Sequence, residues 1–234
     1  MLAILRKYLA DLLLNVLPNH CIYCLSPSSK SICQICLAAL PTLKIQCPRC
    51  AEPNHHGEIC GHCISRPPSF DQVICPYVYS GPVVGLIKKL KNQTFALGSD
   101  HITDTLIEQL KDHHFDLIIP VPYHWRRLIQ REYNPVRELA IKVGKKINTP
   151  WLDGLIRSEF QTSQKNLNRK QRLSNLKGAF ALASLTTSTH IKGKNILLID
   201  DVVTTGATCH SAAQILKRAG AKSISVACLA RTPV

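Results

Sequence analysis

The period of apolar positions changes along this chain. Leu2, Leu5, Leu9, Leu12 and Val16 recur at helical spacing and predict an amphipathic helix ending near Pro18. From residue 20 to residue 66 long apolar runs are few, so burial alone could hardly fold that stretch. Arg66-Pro67-Pro68-Ser69 can continue neither a helix nor a central strand, and it divides the chain into residues 1–66 and 67–234. Beyond it, apolar runs alternate with helical stripes. Residues 73–79 and 115–121 read as strands. Gly81-Pro82 opens a helix with Val83, Leu86, Ile87 and Leu90 on one face, and Asn134-Pro135 caps another with Val136, Leu139, Ala140, Val143 and Ile147 on one stripe. The last unit is the clearest: a strand at 196–200, a loop, a helix from about Gly206 to Ala219, a stop at Gly220 and a strand at 224–229. Such a crossover joins parallel strands, and a parallel sheet needs helices on both faces, so the class is α/β with a mostly parallel sheet. No internal repeat or low-complexity tract stands out.

Cysteine usage changes the reading of the first part. Of eleven cysteines, eight form four Cys-x-x-Cys pairs: Cys21/Cys24, Cys33/Cys36, Cys47/Cys50 and Cys60/Cys63. No export signal precedes them, which favours metal in a reducing compartment over disulfides. Each pair can place both sulfurs on one ion, and eight thiolates make two tetrahedral zinc sites, which would supply about 10–16 kcal/mol of folding energy each. Pairing first with second and third with fourth is favoured over a cross-brace, because it keeps the intervening loops to eight and nine residues. His55, His56 and His62 lie nearby as bystanders. Cys75, Cys209 and Cys228 read as small apolar residues. Four-cysteine sites have no open coordination position, so a structural role is expected.

The formal net charge is +14, and residues 67–234 carry twenty-three basic against twelve acidic side chains. Polyanions are therefore plausible partners for that part. Residues 1–17 are too short to span a bilayer and are interrupted by Arg6, Lys7 and Asp11. Packing on the protein's own core is expected of them, with membrane contact as the alternative. The expected compartment is the cytoplasm, with the inner face of the membrane as the variant, and no transmembrane segment.

Chemistry concentrates in Ile196-Leu197-Leu198-Ile199-Asp200-Asp201-Val202-Val203-Thr204-Thr205-Gly206-Ala207-Thr208. A turn running into a helix N-terminus offers converging backbone N–H groups and a favourable dipole for phosphate. Thr204, Thr205 and Thr208 add hydroxyls, and Gly206 lets the chain come close. Asp200 and Asp201 stand at the carboxyl end of the strand, where open α/β sheets bind ligands, and can accept from ribose hydroxyls or hold the water shell of Mg²⁺. The run is neither a Walker A motif nor Gly-x-Gly-x-x-Gly.

This run resembles the phosphoribosyltransferase signature. The resemblance implies a type I-like domain, which the small Cys-rich, zinc-ribbon-like domain read from the four cysteine pairs would precede, with the 5′-phosphate of phosphoribosyl pyrophosphate on Thr204–Thr208. It further implies Asp200 and Asp201 as catalytic carboxylates facing the ribose, with Mg²⁺ and cations taking the pyrophosphate. Lys88, Lys91, Arg126, Arg127, Arg131, Arg169 and Arg172 are the candidates for pyrophosphate or a DNA backbone, with Lys89 beside them. No acid stands at Thr204, where purine-salvage enzymes of this class usually carry one.

Over nearly the whole chain after residue 20 the resemblance is closer. The cysteine pairs, Pro67-Pro68-Ser69-Phe70-Asp71, Tyr79-Ser80-Gly81-Pro82, Pro120-Val121-Pro122, Arg126-Arg127, Asn175-Leu176-Lys177-Gly178-Ala179-Phe180 and Leu229-Ala230-Arg231-Thr232 are similar to the ComF/GntX family of bacterial competence proteins. Two departures stand out: Glu132 replaces a glycine of the family's Arg-Gly-Phe-Asn-Gln run, and Asn92 an aromatic. The family implies a role in natural transformation, with single-stranded DNA as a partner. Basic side chains interleaved with Tyr123, Trp125 and Tyr133 suit such a strand, and residues 164–172 resemble the family's basic loop. A ComFA-type helicase is an implied protein partner. A catalytically active phosphoribosyltransferase with an unidentified acceptor is the alternative.

Overall fold

The computed structural model describes residues 20–21, 23–29, 32–91, 99–123, 134–157, 179–184 and 186–233. The predicted N-terminal helix lies outside them. The chain forms, in order, α1 (Gln34–Ala38), α2 (Gly61–Ser65), β1 (Gln72–Ile74), β2 (Tyr77–Val78), α3 (Gly81–Lys91), α4 (Ser99–Leu110), β3 (Leu117–Pro120) and α5 (Pro135–Ile147). There follow β4 (Leu155–Arg157), β5 (Phe180–Leu182), α6 (Thr187–Ile191), β6 (Asn195–Ile199), β7 (Val202–Val203), α7 (Ala207–Arg218), β8 (Ser223–Ala227) and β9 (Ala230–Arg231).

The main sheet has the order β1-β8-β6-β3, and every pairing in it is parallel. Alternation along a strand sends neighbours to opposite faces, and β6 shows it cleanly. Ile196 and Leu198 join one core layer with Ala212, Ala213 and Leu216 of α7. Leu197 and Ile199 join the other, with Val83, Ile87 and Leu90 of α3, Ile102 and Leu106 of α4, and Leu139 and Val143 of α5. These residues are all fully or nearly fully buried. The structure thus has the parallel sheet with helices on both faces that the alternating pattern predicts. The start of α5 follows its sequence signal: Asn134 Oδ1 accepts from the Val136 and Arg137 N–H groups at 3.1 and 3.2 Å, Pro135 opens the first turn, and Asn148 ends the helix in the left-handed region.

Two expectations need correcting. Residues 73–79 are not one strand. Pro76 has no N–H for a ladder, and at Cys75-Pro76 the chain leaves β1 in the main sheet and re-enters as β2 in a second, three-stranded parallel sheet ordered β2-β9-β7. The final strand likewise breaks after Ala227, so that β9 belongs to this small sheet. A repeat also exists. His20-Cys21-x-x-Cys24-Leu25-Ser26-Pro27 and Gln46-Cys47-x-x-Cys50-Ala51-Glu52-Pro53 share one backbone design. Bridges His20↔Pro27 and Gln46↔Pro53 close the two turns, Leu25 and Ala51 take φ of 61° and 55°, and their N–H groups both reach back 2.9 Å to the carbonyls of Cys21 and Cys47. Side-chain identity outside the cysteines and prolines differs, which conceals the duplication.

Between the two knuckles, Thr42 bridges to Tyr77, with Leu43 N–H on the Pro76 carbonyl and Val78 N–H on the Pro41 carbonyl, both at 2.8 Å. The inter-knuckle chain thereby extends the edge of the small sheet, whose other edge, β7, leads into the Thr-Thr-Gly loop. Cys21, Ile32 and Cys36 join the α3/α4/α5 layer, whereas Cys47, Cys50, Ala51 and Cys63 join the α7 layer.

Candidate functional site

The eight paired thiols gather as two groups, Cys21/Cys24/Cys33/Cys36 and Cys47/Cys50/Cys60/Cys63, with the sulfurs of each group within 4.8 Å of one another. The grouping is sequential along the chain. Short helices α1 and α2 start directly after Cys33 and Cys60 and point the last pair of each group back at the first. The sulfurs already receive backbone donors: Cys36 N–H to Cys33 Sγ at 3.5 Å and Cys60 N–H to Cys47 Sγ at 3.3 Å. Burial opposes ionisation of Cys21 and Cys47, but backbone N–H groups outweigh it, those of Cys24 and Cys33 foremost for Cys21 and those of Cys60 and Cys50 for Cys47, and bring these thiols down to about 6 and about 7. Burial and the neighbouring thiols push Cys36 up to about 12. Four thiolates so close repel one another, and a tetrahedral divalent cation is the counter-charge that lets all four ionise. The donor set fits zinc in both groups, with no position left open.

The second constellation lies at the end of β6. Asp200 and Asp201 are buried, at 9% and 6% exposure. Asp200 Oδ1 accepts the Asp201 N–H at 2.8 Å, and the Cys209 thiol donates to Oδ2 at 3.8 Å. Burial, together with the Asp200 carboxylate, holds that thiol far above its ordinary range, so it stays a proton donor. Asp201 Oδ1 accepts from the Val202 N–H at 2.6 Å, and its Oδ2 accepts a short hydrogen bond from the Tyr123 hydroxyl. The chain then runs through β7 to Thr204 and Thr205, both exposed, and turns at Gly206, whose φ of 73° suits a residue without Cβ. His210 N–H bonds the Gly206 carbonyl at 2.8 Å and starts the helical ladder of α7. The first N–H groups of α7 therefore have no intrahelical partner, and that of Ala207 donates to Thr205 Oγ1 at 3.4 Å, the hydroxyl standing where an anion's oxygen could.

A cavity of about 270 Å³ lies between this loop and the second knuckle. Its walls include Thr205, Gly206, Ala207 and His210 on one side, and Cys50 and Cys63 on the other. His210 Nδ1 accepts the Ser69 N–H at 3.0 Å, and burial lowers its pKa below the ordinary value, so the ring is neutral.

Comparison with known proteins places these two sites together. A family model of the phosphoribosyl transferase domain matches residues 137–234, and one of the double zinc ribbon domain matches residues 12–64. The chain is 31% identical over 231 residues to DNA utilization protein YhgH of Escherichia coli K12, covering 92% of this chain and 98% of that protein. Competence protein F of Haemophilus influenzae Rd is 29% identical over 232 residues, covering 94% and 100%. The chain belongs to the ComF/GntX family of competence proteins. DNA utilization protein YhgH of Salmonella typhimurium is a further relative, 30% identical over 231 residues. As a ComF/GntX member the protein is a competence-associated, phosphoribosyltransferase-like molecule with a zinc-binding, double-ribbon head.

The structure brings Asp200, Asp201, Thr204, Thr205, Gly206, Ala207 and Thr208 into one strand-loop-helix corner. Lys88 is an exposed residue of α3, and Lys91 ends that helix. Arg126, Arg127, Arg131, Arg169 and Arg172 lie outside the described residues, as do Trp125, Tyr133, residues 164–172 and the side chains of Lys89 and Lys91. Among the described residues no helix is long and apolar enough to cross a membrane. Residue-type reasoning missed Arg231 and Glu52. Arg231 is 3% exposed, and its Nη2 bonds Glu52 Oε2 at 2.7 Å. The signal available for it was an arginine set in the apolar run Ala227-Cys228-Leu229-Ala230, since a charge is rarely fully buried without a partner.

Proposed function

We propose that the 200–208 corner binds phosphoribosyl pyrophosphate or the phosphates of single-stranded DNA during natural transformation. The supporting observation is the combination of Gly206 in the left-handed region, an exposed Thr204-Thr205 pair, and a buried carboxylate pair at the base of the same loop. Phosphate oxygens would take the N–H groups of residues 205–208 and the threonine hydroxyls. The Tyr123 hydroxyl marks the acceptor on Asp201 that a ribose hydroxyl would use. Mg²⁺ would accompany the pyrophosphate, held through the carboxylates' water shell, and would supply charge neutralisation. Basic residues of the chain, Lys88, Lys91, Arg126, Arg127, Arg131, Arg169 and Arg172 among them, would extend the site along a DNA backbone, and residues 67–234 would act as the ligand-binding domain beneath the residue 1–66 head. The cytoplasm, where imported single strands and phosphoribosyl pyrophosphate are both met, is the compartment this reading requires, and a ComFA-type helicase a fitting partner.

Fluorescence anisotropy of a labelled single-stranded oligonucleotide tests this reading. Binding is expected to weaken with salt by about 0.7 in log K per phosphate contact for each unit of log salt, and Mg²⁺-phosphoribosyl pyrophosphate is expected to displace the strand. Binding that ignores both would refute shared use of the loop.

A second reading, glycosyl transfer to an unidentified acceptor, draws on the retention of both Asp200 and Asp201. It predicts pyrophosphate release with some member of a base panel, lost in Asp200→Asn and Asp201→Asn. No release with any acceptor, from protein that binds the ligand, would leave binding alone.

A further inference from the structure

The guanidinium of Arg231 spans the seam between the second zinc knuckle and the loop. Its Nε donates to the Cys50 carbonyl at 3.0 Å and its Nη2 to Glu52 Oε2 at 2.7 Å, both in the knuckle. Its Nη1 donates to the carbonyls of Val203 at 3.2 Å and Thr232 at 3.0 Å. Four of the five guanidinium donors are thus used, in a plane that lysine cannot reproduce. Val203 is the last residue of β7 and immediately precedes Thr204. The Thr232 N–H also reaches the Val203 carbonyl, at 2.9 Å. Elsewhere along the seam the Cys50/Cys63 wall and the Thr205/Gly206/Ala207 wall face each other across the cavity. Apolar contact between the two runs through the core layer that Cys47, Cys50, Ala51 and Cys63 share with Val203 and Cys209, and the Arg231 fork supplies the directional, hydrogen-bonded connection to the mouth of the loop. The first knuckle has the same turn but joins the opposite layer of the sheet, and the residue matching Ala51 there, Leu25, is 73% exposed.

We infer that Arg231 is a positioning residue that makes the shape of the phosphate loop depend on zinc in the Cys47/Cys50/Cys60/Cys63 site, and not on zinc in the Cys21/Cys24/Cys33/Cys36 site. Zinc fixes the turn that carries the Cys50 carbonyl and Glu52. These anchor the guanidinium, and the guanidinium holds Val203 at the mouth of the loop. Without the ion the knuckle has little to keep its shape, and the anchors move apart. Linkage makes the effect reciprocal: an anion seated on the loop tightens the hold on the second zinc. This step rests on the phosphate reading of the loop, whereas the coupling itself does not.

Hydrogen exchange on the full-length, zinc-loaded chain separates the two claims. Four variants are compared with wild type: Arg231→Lys and Glu52→Gln, which leave all eight thiols in place, Cys60→Ser in the second site, and Cys24→Ser in the first. Arg231→Lys and Glu52→Gln are expected to keep both zinc ions and yet to speed exchange across residues 203–207 by roughly tenfold, the effect of losing a charge-assisted bond. Cys60→Ser should do the same and Cys24→Ser should not, while β6 and β8 stay protected in all. Equal effects of the two cysteine variants, or unchanged exchange at 203–207 in Arg231→Lys or Glu52→Gln, would overturn the inference. If Arg231→Lys fails to fold, Glu52→Gln decides alone. A second arm follows zinc release to a chelator: Mg²⁺-phosphoribosyl pyrophosphate should slow release of the second ion in wild type and not in Arg231→Lys. A wild-type protein that does not bind this ligand would remove the phosphate reading, and the exchange result would still decide the coupling.

Discussion

Around Cys21 and again around Cys47 the chain makes the same Cys-x-x-Cys turn, with one residue in the left-handed region and a short helix carrying the second thiol pair. The surroundings differ. Leu25 and Ile35 of the first knuckle are left 73% and 83% exposed, whereas Ala51 of the second is fully covered and its neighbour Glu52 meets a buried arginine. Local metal chemistry sets the shape of a knuckle. What a knuckle can influence is set by the layer it packs on. The first lies with α3, α4 and α5. The second lies with α7 and the loop that precedes it.

Removing the metal should have the largest effect on this contrast. Structural zinc contributes on the order of 10–16 kcal/mol per site, so a chelator should unfold both knuckles. The main sheet, held by burial, should keep its far-ultraviolet dichroism, and collapse of the sheet together with the knuckles would break the contrast. Next in size is a pair of core truncations in β6. Leu198→Ala and Leu197→Ala each open a cavity in a fully buried site and should lose about 2–5 kcal/mol in chemical denaturation. Leu198→Ala should also hasten release of the second zinc ion, and Leu197→Ala of the first, because each side chain shares a layer with one knuckle. A smaller loss is expected of Gly206→Ala. The added methyl would meet Phe70 only at ordinary contact distance, 3.7 Å, so the cost is the left-handed backbone alone, about 1–2 kcal/mol. Its stability loss should be modest and its effect on ligand affinity larger.

The smallest effect is a pH dependence. Burial lowers the folded-state pKa of His210 below its unfolded value, near 6.5, so the unfolded chain takes up a proton that the folded one refuses. Stability from this residue is complete above pH 6.5 and declines as pH falls toward the folded pKa, where protonation also competes with the Ser69 N–H for Nδ1. Over that window the denaturation midpoint of wild type should fall more than that of His210→Asn. Identical slopes would show that burial of this ring beside the second knuckle has no consequence.

Much of this architecture is written in residue types. Four consecutive aliphatics in β6, the Asn134-Pro135 cap and the paired cysteines each impose a local rule strong enough to read without neighbours. The helix α4 carried its own signal in Ile102, Leu106 and Leu110, diluted by the polar residues between them. The small sheet had none: β2, β7 and β9 are two residues long, too short for an alternation to register, and they exist because distant segments meet. Arg231 was hidden for the same reason. Its partners, Cys50 and Glu52, lie 181 and 179 residues away, so the apolar run before it hints at burial while nothing local names what the arginine joins. At the candidate site the strand-loop-helix corner at 196–208 was legible, while the turning of Asp200 toward Cys209 and of Asp201 toward Tyr123 required the fold.

The most direct test of the central claim, that residues 200–208 bind a ribose phosphate, is calorimetric titration of the zinc-loaded protein with phosphoribosyl pyrophosphate and Mg²⁺. The account predicts saturable binding at one site per chain, abolished by Thr205→Asp, which sets a carboxylate where the phosphate would sit. Absence of binding by the folded, zinc-loaded protein, or binding that Thr205→Asp leaves intact, would contradict it.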